Sequence, residues 1–268
     1  MSTNNPDREG TFLIPDIYPR DFHGAPPFGV LPGLVVDGKE VVGCVVKASE
    51  GLGWGPGNET WFRNSWTELR QVAAERYGID FFRGCYHFLQ FKEDGADQAD
   101  YFCDQVDAAG GWGPGDLMPW VDVEEGGQVH WASQKLETIT DHSLRAQLAQ
   151  QVTDATSAFV QRFKQRTGLR IAVYGRGVFR DLQMNDCKFG SDSAVNPAYT
   201  STIVRMENYG VPLDSISLWQ LSGDKGPANA HFPNSLPGWG IHDYSVYIDG
   251  ARKTTLKTLR ERCLAQIE

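Results

Sequence analysis

Seven short apolar runs occur along the chain, and each is continuous rather than alternating between apolar and polar residues. Continuous runs of this length are typical of parallel strands that are buried on both faces. The predicted strands are TFLIPDIY (11–18), EVVGCVVKAS (40–49), IDFFRGCYHFL (79–89), LMPWVDVE (117–124), LRIAVYG (169–175), SISLWQL (215–221) and YSVYIDG (244–250). A weaker run, STIVRM (201–206), is an eighth candidate.

Helical patterns separate several of these runs. Amphipathic patterns cover residues 61–76 and 96–109. The longest covers 142–166, with Asp141 as a suitable N-cap and Gly168 as a suitable residue to end it. Its apolar positions recur every three or four residues: Leu144, Leu148, Val152, Ala155, Phe159 and Phe163. A last helix carries Leu256, Leu259, Cys263 and Ile267.

Strands that alternate with helices predict parallel βα units. Seven or eight strands in 268 residues fit one barrel-sized domain. Because the later strands have too little sequence between them for full helices, we expect a single irregular (β/α) TIM-like barrel of the α/β class, with fewer helices than strands. We assign residues 11–268 to this barrel and the polar residues 1–10 to a disordered N-terminal tail.

Composition and charge exclude several classes of protein. The chain has 25 Lys and Arg against 34 Asp and Glu, a net charge of −9, which argues against a nucleic-acid partner. No apolar stretch reaches the ~18 residues that a membrane-spanning helix needs. The N-terminus, MSTNNPDREG, lacks the basic and apolar regions of a signal peptide, so we expect synthesis in the cytoplasm.

The cysteines do not indicate a metal site. They form no CxxC pair and no ligand spacing with histidine, so we expect neither a metal nor another cofactor. We interpret them as reduced, mostly buried thiols. The five are Cys44, Cys85, Cys103, Cys187 and Cys263.

The strongest candidate for chemistry is the acidic pair Asp122 and Glu124, which ends the fourth predicted strand. Residues i and i+2 of a strand lie roughly 6.6 Å apart and point to the same face. Both carboxylates would therefore lie at the C-terminal end of a barrel, where barrel enzymes have their active sites. Like charge and burial raise the pKa of one carboxyl group, as cleavage of a glycosidic bond requires. The pair alone is also compatible with a salt-bridged strand end.

Polar residues end most of the other predicted strands, as in a barrel active site. They are Asp16, Lys47, Glu50, Tyr86, His87, Tyr174, Gln220 beside Trp219, and Asp249. Simpler interpretations remain open for several. Asp16 and Asp249 could each cap a strand end, and the tryptophan could belong to the core. Lys47 and Glu50 could pair with each other, and His87 could be a hydrogen-bonded structural histidine.

Seven short segments together resemble glycoside hydrolase family 25, the lysozymes of the Chalaropsis and phage type. VVKASEG (45–51) is similar to the family's I-K-A-T-E-G, and residues 84–88 are similar to its G-x-Y-H-F. The others are 97–102 (Q-A-x-x-F), 122–124 (the catalytic D-x-E), 173–174 (Y-x), 218–220 (W-Q) and 248–249 (V-D). All seven follow the family's order, over about residues 12 to 250.

The resemblance implies hydrolysis of the β-1,4 bond between N-acetylmuramic acid and N-acetylglucosamine in peptidoglycan. It implies Glu124 as general acid, with the substrate's N-acetyl carbonyl as nucleophile and Asp122 stabilising the intermediate. Asp16 and Asp249 would support Asp122 and position substrate. The implied substrate-binding residues are Tyr86, Tyr174, Trp219, Gln220, Glu50 and Lys47.

Some segments depart from the family pattern. The family's opening G-[IV]-D-[VI]-S is replaced by IPDIYPRD, and its W-x-A-x-Y segment by residues 196–210. The Gly- and Pro-rich segment 221–243 is a candidate functional loop. A family 18 chitinase is disfavoured, since Leu117 and Trp120 occupy two acidic positions of its D-x-x-D-x-D-x-E motif. The alternative is a non-catalytic glycan-binding or interaction protein on the same barrel.

The expected setting is the periplasm or cell wall, reached after release or secretion. A phage endolysin and a secreted antibacterial effector both fit. The expected partners are peptidoglycan strands, together with a holin, a secretion apparatus or an immunity protein. We expect a monomer, because a cleft that binds a large polymer mesh must stay open.

Overall fold

The computed structural model describes residues 12–19, 26–36, 38–72, 81–124, 136–175, 177–197, 216–222, 235–236, 240–241, 243–247 and 255–266. The strands are β1 (Phe12–Ile17), β2 (Val35–Val36), β3 (Lys39–Val41), β4 (Gly43–Glu50), β5 (Phe82–Phe88), β6 (Trp120–Asp122), β7 (Ala172–Tyr174), β8 (Ser193–Pro197), β9 (Ile216–Ser222), β10 (Ser235–Leu236), β11 (Gly240–Ile241) and β12 (Asp243–Tyr247). The helices are α1 (Pro56–Val72), α2 (Gly95–Ala108), α3 (His142–Thr167), α4 (Gly177–Asp181) and α5 (Leu256–Cys263).

Eight strands form a ring of hydrogen-bonded pairs. Their order is β1-β4-β5-β6-β7-β8-β9-β12, and β12 pairs back to β1. The pairs from β1 to β9 are all parallel. β3 precedes β4 along the same side of β1, and β2 pairs with β3. The predicted irregular α/β barrel, with fewer helices than strands, is confirmed.

The last strand of the ring runs against its neighbours. β12 is antiparallel to both β9 and β1, whereas the sequence pattern predicts parallel units throughout. The described segments between β9 and β12 are the short antiparallel pair β10–β11, and the chain re-enters the sheet in the opposite direction.

The buried residues form two layers. The interior of the barrel holds one cluster, which includes Phe12, Ile14, Val45, Phe82, Trp120 and Leu218. The second cluster lies between the strands and the helices and includes Leu13, Val46, Val121, Phe102 and Phe159. Side chains of one strand therefore alternate between the two layers, which shows which residues face the interior. All five cysteines are buried free thiols.

The amino ends of the parallel strands, which we call the base of the barrel, are covered by α5. Leu256, Leu259 and Cys263 of this helix belong to the interior cluster. Met118 donates its backbone N–H to the carbonyl of Cys263, just before β6 begins. We call the opposite end, where the carboxyl ends of the parallel strands lie, the mouth.

The ends of α2 and α3 show why these helices form where they do. Asp141 caps α3 by accepting hydrogen bonds from the N–H groups of Ser143 at 2.8 Å and Leu144 at 3.1 Å. Gly168 ends α3 at a φ of 67°, so both predicted boundaries are confirmed. Gly95 begins α2 beside α3, and a Cβ there would lie 2.0 Å from the carbonyl oxygen of Ala155. Glycine is therefore needed for this close approach of the helices.

The seven main apolar runs each overlap one of the observed ring strands, and β4, β9 and β12 each extend one residue beyond their run. The remaining ring strand, β8, was missed, because Ser193–Pro197 offers only Ala194 and Val195 as an apolar pattern. The alternative candidate, 201–206, lies outside the described residues, as do residues 1–11. Among the described residues, no helix is long and apolar enough to cross a membrane.

Candidate active site

The acidic pair follows from the alternation of side chains along β6. Trp120 belongs to the interior cluster, whereas Val121 and Val123 belong to the outer one. Asp122 and Glu124 therefore share the interior face, as their spacing predicts. Asp122 is 6% exposed and Glu124 is half-buried. Two carboxyl groups thus lie next to each other at the mouth, one of them shielded from solvent.

Aromatic side chains from three adjacent strands lie beside and beneath this pair. Tyr174 is in register with Asp122, and its hydroxyl donates a hydrogen bond to Oε1 of the buried Gln220. The ring of Trp120 stacks on Tyr86, with centroids 5.7 Å apart, and on Tyr174 at 6.4 Å. The acidic pair therefore lies next to a layer of stacked aromatic rings and not in bulk water.

Gly175 keeps β7 close to β6 at the level of the acids. Its φ is 154°, and a Cβ there would lie 2.6 Å from the carbonyl oxygen of Val123. Val123 in turn donates its N–H to the carbonyl of Tyr174 at 2.8 Å. A side chain at position 175 would force these two segments apart, and with them Asp122 and Tyr174.

Asp16 reaches the mouth from β1. Phe12 and Ile14 belong to the interior cluster, so Asp16, two residues further, lies on the same face. Its backbone pairs with Val45 of β4 and with Asp243 of β12. The antiparallel direction of β12, which the sequence pattern did not predict, brings the amino end of that strand to the mouth.

Lys47 and Glu50 at the end of β4 form an ion pair, one of the two interpretations left open by the sequence. Lys47 Nζ lies 2.6 Å from Glu50 Oε2, and Gln90 Nε2 donates to Glu50 Oε1 at 3.1 Å. The ammonium also lies 4.5 Å from the ring centroid of Phe88 and 5.3 Å from that of Trp54, as cation–π contacts require. Neither Gln90 nor Trp54 was predicted as part of the site.

His87 lies on the other face of β5, among the helices. It is fully buried, and its ring stacks on Phe159 at 4.8 Å. Nδ1 lies 2.8 Å from Ser49 Oγ, and Nε2 lies 3.1 Å from Gln98 Oε1. Burial lowers the pKa of His87 to about 3, so the ring stays neutral. The structural interpretation of this histidine is therefore the better one.

The structure brings most of the predicted site residues together at the mouth. Those placed there are Asp16, Lys47, Glu50, Tyr86, Asp122, Glu124, Tyr174 and Gln220. Trp219 lies on β9 between Leu218 and Gln220, but its side chain lies outside the described part, and so does the whole of Asp249. No cluster of His, Cys, Asp and Glu among the described residues could hold a metal ion.

Such an arrangement suits acid catalysis on a polyhydroxylated substrate. A half-buried carboxyl group beside an acidic neighbour can hold a proton for a leaving oxygen. Aromatic faces and amides are the groups that pack against and hydrogen-bond to sugar rings.

Comparisons with known proteins agree with this geometry. The model of the family "Glycosyl hydrolases family 25" matches residues 36–226. A family GH25 lysozyme from Aspergillus fumigatus is 19% identical, with a TM-score of 0.61 over 95% of this chain and 100% of that one. A family 25 glycosyl hydrolase from Bacillus anthracis is 14% identical, with a TM-score of 0.61 over 94% and 96%.

A third similar structure is the catalytic domain of the endolysin ply40 from bacteriophage P40 of Listeria monocytogenes. It is 14% identical, with a TM-score of 0.55 over 93% of this chain and 97% of that one. No curated protein sequence matches the chain. At these identities the solved structures establish a shared fold, while the family match extends over most of the chain. The protein therefore belongs to glycosyl hydrolases family 25 and is a glycoside hydrolase.

Proposed function

We propose that the protein is a muramidase, a lysozyme that hydrolyses the β-1,4 bond between N-acetylmuramic acid and N-acetylglucosamine in peptidoglycan. The observation that carries the proposal is the pair Asp122 and Glu124 on the interior face at the mouth of a family 25 barrel. Two of the similar solved proteins, described as a lysozyme and an endolysin, support the same substrate class.

In the proposed reaction, Glu124 protonates the oxygen of the glycosidic bond as it breaks. The carbonyl oxygen of the substrate's own N-acetyl group attacks the anomeric carbon and forms an oxazolinium-like intermediate. Asp122 orients that amide and stabilises the positive charge. Its burial strengthens this interaction, because charges interact more strongly away from water. Water then opens the intermediate, with Glu124 accepting its proton.

The other residues at the mouth hold the sugar chain. Asp16 supports Asp122 and positions the substrate. We give no such role to Asp249, because β12, the strand before it, runs from the mouth toward the base. Tyr86 and Tyr174 contact the sugar at the cleavage site. We do not assign the expected apolar platform to Trp219, because its neighbours Leu218 and Gln220 are the residues of β9 that face the interior. Gln220, Glu50 and Lys47 offer hydrogen bonds and charge to the substrate's polar groups.

The test is mass spectrometry of the soluble products released from purified peptidoglycan. Wild type should release fragments with reducing N-acetylmuramic acid, and Glu124→Gln should do so at least ~10²-fold more slowly. Glu261→Gln, an exposed position on α5, is the matched control and should keep full activity. Reducing N-acetylglucosamine would instead identify a glucosaminidase. No product from folded wild type would favour a non-catalytic glycan-binding protein.

We place this activity in the periplasm or cell wall, as that of a phage endolysin or a secreted antibacterial effector. The net charge of −9 gives no attraction to an anionic envelope, which favours delivery by a holin or a secretion apparatus. An effector would also need an immunity protein in the producing cell. Expression with an export signal should lyse bacteria, whereas the same monomeric protein made without one should not.

A further inference from the structure

Gln98 lies on α2, outside the barrel, and is completely buried. Its Oε1 accepts hydrogen bonds from the N–H of Gln90 at 2.8 Å and from Nε2 of His87 at 3.1 Å. Its Nε2 donates to the carbonyls of Gln90 at 2.8 Å and Glu93 at 3.2 Å. Two donors and two acceptor positions are the full capacity of a glutamine amide, so this side chain has a single arrangement.

The orientation of Gln98 also fixes the histidine. Because Nε2 of Gln98 donates to two carbonyls, its Oε1 must be the atom that faces His87. Nε2 of His87 therefore carries the proton, and Nδ1 accepts from the hydroxyl of Ser49. The network joins β4, β5 and α2 in one buried unit, with no alternative pattern of donors and acceptors.

This hydrogen-bond network extends to the mouth of the barrel through Gln90. Gln98 holds Gln90 by both its N–H and its carbonyl, and the side chain of Gln90 donates to Oε1 of Glu50 at 3.1 Å. The other oxygen of Glu50 binds Lys47 Nζ at 2.6 Å, above the ring of Phe88. The place of the ammonium thus depends on the backbone of Gln90, and so on Gln98.

We propose that Gln98 is a positioning residue that acts through Gln90 and Glu50 to fix the Lys47 ammonium at the mouth of the substrate cleft. A long lysine side chain loses conformational entropy when it is ordered. Ordering it before substrate arrives removes that cost from binding. The effect on turnover rests on the proposed muramidase activity, whereas the placement of Lys47 does not.

The first experiment measures the placement directly by NMR of the Lys47 ε-CH₂ group, assigned by its loss in Lys47→Arg. The rings of Phe88 and Trp54 should shift this signal upfield in wild type. Gln98→Met keeps the length of the side chain but none of its hydrogen bonds, and the signal should move toward the value of an exposed lysine. An unchanged signal in folded Gln98→Met overturns the proposal.

The matched control is Gln105→Met. Gln105 lies on the same helix, two turns further along, and is 9% exposed, and its Oε1 makes no hydrogen bond with the described residues. This variant should leave the Lys47 signal in place, and movement in it as well would make the effect of Gln98→Met non-specific and overturn the proposal. Should Gln98→Met fail to fold, Gln90→Met breaks the same connection nearer the surface. It should displace the Lys47 signal while His87 keeps its Nε2 proton.

The second experiment is a double-mutant cycle on peptidoglycan hydrolysis. Gln98→Met and Lys47→Met should each lower kcat/KM by roughly 10-fold, mainly through KM, because a misplaced contact loses binding. The double variant should be no slower than Lys47→Met alone. Multiplied losses would show that Gln98 acts independently of Lys47 and would overturn the proposal. If wild type released no product, the proposed muramidase function would be refuted, but the NMR comparison would still show whether Gln98 fixes the position of the Lys47 ammonium.

Discussion

The two ends of the barrel hold charged groups in opposite ways. At the base, Arg83 and Asp116 form a buried pair, with Nε to Oδ1 at 2.6 Å and Nη2 to Oδ2 at 2.9 Å. Arg83 also donates to the carbonyl of Trp66 at 2.9 Å and covers its ring at 3.7 Å. At the mouth, by contrast, Asp122 and Glu124 place like charges on one face.

The difference separates a structural ion pair at the base from the proposed catalytic pair at the mouth. Burial raises the pKa of Asp116 and lowers that of Arg83, although each is the other's partner. Removing both charges from water is unfavourable, and the hydrogen bonds made by every polar atom of the pair offset this penalty. Two acidic groups on one face, as Asp122 and Glu124 are, repel each other when both are ionised, which costs stability. Sites of catalysis are where proteins keep arrangements of this kind.

The largest expected effect comes from disrupting the buried ion pair at the base of the barrel. Arg83→Met leaves Asp116 buried without its partner and should lower the free energy of unfolding by about 3–5 kcal/mol. Urea denaturation measures this loss, and activity per folded molecule should stay unchanged. Adding Asp116→Asn should recover part of the stability, because the unpaired charge is removed. A variant as stable as wild type would contradict the structural role of the pair.

A substitution in the acidic pair at the mouth should lower activity and leave stability unchanged. Asp122→Asn removes the charge that, in the proposed reaction, stabilises the intermediate, and should lower kcat by about 10²-fold without lowering Tm. Rates of reducing-sugar release and a thermal melt together check both halves of the expectation. Glu261→Gln, at an exposed acid near the end of α5, is the control and should change neither quantity. Full activity in Asp122→Asn would refute its role.

His87, between the two ends, makes stability depend on pH. Its pKa in the folded protein is about 3, against an ordinary 6.5, so only the unfolded chain takes up this proton as pH falls below 6.5. Stability should therefore decrease by up to about 1.4 kcal/mol per pH unit from pH 6.5 toward 3, with no contribution above 6.5.

Replacing the histidine tests that dependence. His87→Asn should flatten this part of the profile of unfolding free energy against pH, even if the variant is less stable overall. His142→Asn, at an exposed histidine in the first turn of α3, should leave the slope as it is in wild type. An equal slope in His87→Asn would assign the pH dependence to other groups.

The smallest effect concerns an acid outside the cleft. Asp141→Ala removes the cap of α3, and should cost about 1 kcal/mol of stability with no change in kcat. Asp141→Asn keeps a capping oxygen and should recover most of the loss. A change in kcat would show that acids beyond the barrel interior also take part in the reaction.

The sequence predicted what depends on local pattern. Apolar runs located seven of the eight ring strands, and the spacing of Asp122 and Glu124 placed both on one face. The direction of β12 could not be predicted, since an apolar run has the same pattern in either direction. Gln98 and Gln90 were missed for a different reason. An amide is recognised as part of a site only from its partners, which here come from distant segments of the chain.

Closure of the ring by β12, and of its base by α5, has a consequence for how the molecule is made. β1 is paired with a strand more than two hundred positions away, and the interior cluster includes residues of α5. Contacts of such long sequence separation form late and slow folding. During synthesis, the barrel cannot be completed until the segment 255–266 has left the ribosome. An unfinished chain thus has no closed cleft, and activity begins only with the full barrel.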